Sequence, residues 1–140
     1  MSGSRRFVHD LGEHHIGQLH SLYQGEWWSN GRSLDDTRRC VQGSQLCIAI
    51  VDAQDRIIAF ARVVTDFVFK AFVFDVIVAA EHRGQALGDA VIEHLLQHEK
   101  LRNVRHIELY CLPEMFPYYR RHGFTDAVGT VRLMRRTAPA

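Results

Sequence analysis

VIVAAEHRGQALGDAVIEHLL, residues 76–96, leaves an apolar run of strand type through charged and glycine-rich residues, and an amphipathic run follows almost at once. A plain turn needs only one glycine and a capping Asp or Ser. This loop carries Gly84 and Gly88, the small Ala86 between them, and Arg83 at its entrance. Small residues at a helix start bare backbone N–H groups where the helix dipole favours an anion.

The flanks set the architecture. AFVFDVIVA is nearly continuous in Phe and Val, which predicts a buried central strand with Asp75 as its lone charge. Past the loop, Leu87, Val91, Leu95 and Leu96 fall on one face of a helix predicted over Leu87–His98. VRHIELYCL reads as the next strand, so Phe72 to Leu112 forms one βαβ unit, with a crossover long enough to be parallel and right-handed.

Further upstream, Arg6–His9 fits a short strand, and Asp10 with Glu13 fits a capping box for a helix reaching about Tyr23. GEWWSNGR is a loop with two tryptophans. Ser33 then caps a helix that Gly43 ends, and LCIAIVD and IIAFARVVTD flank a short polar turn as a hairpin. Downstream, Pro113 breaks the chain. EMFPYYRRHGF holds a short helix ended by Gly123, and DAVGTVRLMRR closes as a last strand or strand pair. The expectation is an α/β chain with a mixed sheet, helices on both faces and a single domain over residues 1–140.

Composition narrows the partners. Lys plus Arg is 17, Asp plus Glu is 16 and the net charge is +1, which argues against nucleic-acid binding through bulk charge. Three cysteines without paired spacing suggest free thiols in a reducing compartment. No apolar run approaches membrane-spanning length, and MSGSRRFVHD lacks the apolar stretch of a signal peptide. These features predict a cytoplasmic protein without a membrane partner.

Three phosphate loops compete for the quoted stretch. The Rossmann fingerprint needs G-x-G-x-x-G, and these glycines are four apart. The Walker loop needs four residues between its glycines and then Lys; here three intervene and Asp89 follows Gly88. An Asp there would repel a terminal phosphate. RGQALG, residues 83–88, instead resembles the acyl-CoA pyrophosphate loop of the GNAT superfamily of N-acetyltransferases, [Q/R]-x-x-G-x-[G/A]. Nearly the whole chain is similar to that family, and EMFPYYRRHGF resembles its tyrosine-containing helix before a Gly-Phe. GRSLDDTRR and IIAFARVVTD resemble a bacterial subgroup of small GNAT proteins. One departure is Ala86, which stands where the pattern has its first Gly.

The resemblance implies a mixed, mostly antiparallel GNAT sheet and acetyl-CoA as cosubstrate. It implies acetyl transfer (acyltransferase class) to a primary amine of a small molecule or peptide, and a possible homodimer. It places pantetheine on the backbone of Ile77 and Val78, where the fourth and fifth strands part, and pyrophosphate on the loop from Arg83 through Gly84, Gln85 and Ala86. Leu87, Gly88 and Asp89 complete that contact at the helix start. It assigns Tyr119 as the acid that protonates the leaving thiolate. The alternative is a non-catalytic acyl-CoA-binding or sensor domain of the same fold.

The residues themselves supply further candidates. A carboxylate in an apolar strand must find a partner or shift its pKa, so Asp75 is the leading general base, with a structural role as the competing reading. Trp27 and Trp28 are costly to expose in a polar loop, so either one of them lines an acceptor cleft or both cap the core. Arg32 or Arg62 would hold a carboxylate on the acceptor or, alternatively, Asp66 would hold a cation there. His94 and His98, four apart on a helix, lack a third ligand, so no metal is expected. An acyl-cysteine route through Cys111 ranks below direct transfer.

Overall fold

The computed structural model describes residues 4–139. The chain divides into two compact units, one ending at Leu109 and the other starting at Tyr110.

The first unit is a five-stranded sheet with three helices. Strand β1 spans Arg6–Val8, β2 Leu46–Val51, β3 Ile57–Thr65, β4 Lys70–Val78 and β5 His106–Glu108. The spatial order is β1-β2-β3-β4-β5, antiparallel throughout except for the parallel β4–β5 pair. Helix α3, Leu87–Leu96, makes the predicted crossover between β4 and β5. Every residue of β2 is buried, so both faces of the sheet are covered. Cys47, Ala49 and Val51 of β2 share a core with Leu19 and Tyr23 of α1, Glu13–Gln24, and with Ile57, Phe60 and Ile77. Helix α3 packs on β2, β3 and β4 and buries Leu87, Val91, Ile92 and Leu95.

The caps follow local chemistry where it is strong. Ser33 accepts the Asp36 N–H at the start of α2, Leu34–Gln42, and Gly43 ends it. Helix α1 corrects the expected box. Its N-cap is Gly12, whose N–H donates to Nδ1 of His15, and not Asp10. Long-range contacts decide this, because His14 and His15 both bond Asp55 in the β2–β3 turn.

Strand β4 carries a bulge at the site end. Phe60 pairs with Ile77 and Arg62 with Phe74, so Ala61 alone faces Asp75 and Val76. Asp75 takes a left-handed conformation there, φ 59°. Asp tolerates that region better than most residues, and a bulge re-aims its side chain.

The second unit, Tyr110–Ala140, holds a 3-10 turn at Pro113–Met115 and helix α4, Phe116–Arg120. Gly123 follows with φ +90°, as the sequence suggests. The expected closing strand is not formed: residues 125–139 contain no strand. Val131, Leu133 and Met134 are exposed there, so no buried face enforces the alternation of VRLMRR.

Candidate functional site

Two features meet at the end of β4. The first is an open strand edge. Strand β5 pairs with β4 only at Lys70↔His106, Ala71↔Ile107 and Phe72↔Glu108. Among the described residues, no strand pairs with Val73–Val78 on that side. The Ala79 N–H donates to Ile58 on the β3 side. Strand alternation therefore turns the Val78 N–H and C=O toward the open side, and those of Ile77 toward β3. Of the two backbone positions the sequence singles out, Val78 faces the gap. Ile77 instead puts its side chain in the core.

The second feature is the loop itself. A 3-10 turn at Ala80–His82 leads into Arg83, and Gly84 and Ala86 both have positive φ, +82° and +58°. Left-handed residues alternating along a loop turn successive N–H groups to one side, an anion-binding concavity. Ala86 is the N-cap of α3 and no side chain caps this helix start. The first-turn amides of Leu87 and Gly88 have no intrahelical acceptor. Gly84, Gln85 and Ala86 are exposed, whereas the Leu87 side chain is buried and only its amide serves the loop. Asp89 lies in the first helical turn.

Two side chains bear on the loop from outside. Arg83 pairs with Glu26 at 2.9 Å, and Arg5 donates to Oε1 of Gln85. Nothing in the sequence flags Glu26 beyond its place beside the tryptophans.

Behind β4 lies a saturated polar cluster. Asp75 accepts from Arg32 Nη1 at 2.7 Å and Nη2 at 3.3 Å, from Arg62 Nε at 2.7 Å and from the Tyr23 hydroxyl at 2.8 Å. Only 5% of the Asp75 side chain is exposed. Burial pushes its pKa up, but the hydrogen bonds and charges of Arg32 and Arg62 outweigh burial and leave it below the ordinary value. A carboxylate so engaged is a poor proton acceptor near neutral pH, and the geometry gives Asp75 the work of holding both arginines. Burial, with Asp75 alongside, drives the Tyr23 phenol far up, so it stays protonated as a donor. The Arg32 guanidinium also lies over the rings of Tyr23, at 4.6 Å, and Trp28, at 5.5 Å.

The structure thus brings Trp28, Arg32, Arg62 and Asp75 together and leaves two candidates out. Trp27 is 71% exposed, while Trp28 is the tryptophan that packs on the core. Asp66 spends Oδ1 on the N–H groups of Val68, Phe69 and Lys70, which makes it the cap of the β3–β4 loop. Tyr23 joins the cluster although the sequence marks it only as the approximate end of the first helix.

In the second unit, Tyr119 is buried, with Tyr118 and Phe124 edge-on to its ring. Burial, and then Cys111, raises its phenol to about 12. Burial also raises the Cys111 thiol, which lowers its thiolate fraction and disfavours an acyl-cysteine step.

Histidine clusters occur elsewhere. His9 supplies the neighbour missing for His94, Nε2 to Nε2 at 3.0 Å. His14, His15 and Asp55 bring three ligand atoms within 4.8 Å of one another. There the His15 Nδ1 accepts the Gly12 N–H, so Nε2 carries the proton and donates to Asp55. That tautomer offers no lone pair to a metal at Nε2, and the group works as a staple between α1 and the β2–β3 turn.

An open strand edge beside an uncapped, glycine-rich helix start is the feature to compare with known proteins. The model of the acetyltransferase (GNAT) family matches residues 13–124. The chain belongs to the GNAT family. A solved structure of a GNAT-family protein from Xanthomonas campestris pv. campestris superposes with a TM-score of 0.84 at 28% identity, covering 99% of this chain and 96% of that one. The uncharacterized N-acetyltransferase ycf52 of Pyropia yezoensis is 27% identical over 110 residues, 76% of this chain and 63% of the relative. Serotonin N-acetyltransferase 2, chloroplastic, of Oryza sativa subsp. japonica is 39% identical over 79 residues, 56% of this chain and 40% of the relative. The chain thus spans less than two thirds of these two relatives. The five-stranded mixed sheet is the GNAT fold expected from RGQALG and PYYRRHGF, and among the described residues no helix is long and apolar enough to cross a membrane.

Proposed function

We propose that this GNAT protein transfers an acetyl group from acetyl-CoA directly to a primary amine of a small molecule or peptide. The observation that carries the reading is the unpaired edge at Val78 leading into the uncapped loop at Gly84–Gly88. Pantetheine adds to that edge as an extra strand would, and the diphosphate sits on the loop amides. The Val78 N–H is aimed where a thioester oxygen gains charge in the tetrahedral transition state.

An alkyl ammonium of pKa ~10.4 costs about 4.6 kcal/mol to deprotonate at pH 7. Asp75 is held too tightly to take that proton, so the proton leaves through water. Tyr119 serves as the acid for the departing thiolate. With a pKa raised to about 12, it keeps its proton well past neutral pH. Free thiols at Cys40, Cys47 and Cys111 fit the reducing, cytoplasmic setting the sequence predicts.

Thiol release from acetyl-CoA across a panel of amines tests the reading. Turnover with at least one amine is expected. Acetyl-CoA binding, seen as a rise in Tm, with no thiol release from any amine would favour the sensor alternative. Tyr119→Phe should lower kcat by roughly 100-fold or more while leaving CoA affinity near wild type. Equal turnover by the two proteins removes Tyr119 from the chemistry.

A further inference from the structure

The Asp75 cluster holds more positive charge than its buried carboxylate needs. One carboxylate faces two guanidiniums, leaving a net charge of +1. Arg62 is the inner partner, 15% exposed, with Nη1 directed to the Ser44 hydroxyl and its guanidinium over Phe74. Arg32 is the outer partner, and 30% of its side chain reaches solvent. Its two Nη groups donate to Asp75, and its face is held by Tyr23 and Trp28. A guanidinium has five N–H donors in a fixed fork. Arg32 is therefore a partly exposed cation already locked in orientation, with donors not committed to Asp75. Locking removes most of the ordering cost of a bidentate contact with an anion.

We infer that the acceptor amine carries an acidic group, and that Arg32, with Arg62 behind it, receives that group. The inference rests on the acetyl-transfer reading and narrows its substrate class. A simple ammonium approaching this cluster meets like charge. An amine with its own carboxylate arrives without net charge, and its acidic end is drawn to the outward edge of Arg32. Asp75 acts as a positioning residue that keeps the fork in place. Trp28 flanks the same guanidinium and so reports on what binds there.

The test compares acid-bearing compounds with their counterparts lacking the acid. Trp27→Phe leaves Trp28 as the sole tryptophan, and its fluorescence follows binding of N-acetylphenylalanine against N-acetylphenethylamine, with acetyl-CoA absent. The acid-bearing compound should bind roughly tenfold more tightly or better, the worth of a charge-assisted contact. Arg32→Gln should reduce the preference to near unity, and Arg32→Lys should keep part of it, with far-ultraviolet circular dichroism confirming that both fold. O-phosphoethanolamine against ethanolamine, in the same assay, separates phosphate from carboxylate recognition. Equal affinity within each pair, tighter binding of the compound lacking the acid, or no millimolar binding by any acid-bearing compound would overturn the inference. Thiol release with phenylalanine and phenethylamine is followed in parallel. An acid preference in binding without any turnover would count against the catalytic reading and leave the anion site standing. Turnover without an acid preference would do the reverse.

Discussion

The Asp75 cluster and the Arg83–Gly88 loop lie at opposite ends of one short piece of chain, and they manage polar groups in opposite ways. Asp75 is buried and saturated, with four hydrogen bonds from three side chains. The loop is exposed, left-handed at Gly84 and Ala86, and leaves its helix start uncapped. Buried polar groups that satisfy one another hold a structure in place. Donors left open at a helix start suit a ligand that is not yet there. The same contrast separates positioning from binding along β4.

The comparison breaks most visibly at Asp75. Asp75→Ala strands two partly buried guanidiniums without their counter-charge, and a loss of about 3–5 kcal/mol in unfolding free energy is expected from urea melts. A loss under about 1 kcal/mol would mean that the cluster is not a structural anchor. The pH dependence follows from the direction of the shift. Because the folded carboxyl sits below its unfolded value, its contribution is present above that unfolded value, near pH 4, and fades as pH falls through the folded one. The Asp75 contribution should therefore be flat across neutral pH and fall away in acid, and Asp75→Asn should reduce the acid drop. A rate profile whose neutral limb disappears in Asp75→Asn would restore Asp75 as the base.

The loop yields a smaller effect of opposite sign. Ala86 pays for its left-handed conformation by roughly 1–2 kcal/mol, of which glycine recovers a part after its own entropy cost of roughly 0.5–1 kcal/mol. Ala86→Gly should raise stability by a few tenths to about 1 kcal/mol and tighten CoA binding in calorimetry. Weaker binding would show that the methyl group is not a hindrance. Smallest of all, Glu26→Gln should tighten CoA binding by about 1 kcal/mol or less, because the half-buried Glu26 holds the exposed Arg83 by a pair that a diphosphate must displace. Unchanged or weaker binding would assign Glu26 to ordering the loop instead.

What the sequence reveals depends on how local each cause is. Ser33, Gly43 and RGQALG act within a few residues, and each lies where its own chemistry places it. The lone Asp75 in an apolar strand signals a buried partner, but the partners Tyr23 and Arg32 come from 52 and 43 residues away and no spacing rule names them. The expected Asp10 cap fails for the same reason, since His15 is held by Asp55 across 40 residues and the helix starts at Gly12 instead. Asp66 looks like a free acid in sequence because its three acceptor contacts go to the backbone of its own loop. VRLMRR shows the converse: alternation without a face to bury predicts a strand that does not form.

The most direct test is an amide-resolved NMR titration of the protein with CoA. Diphosphate on the loop and pantetheine on the strand edge should shift the amide signals of Val78 and of Gly84 through Gly88 first and furthest, with the Asp75 side little changed. Shifts confined to other parts of the chain, or an unmoved loop at saturating CoA, would contradict the account.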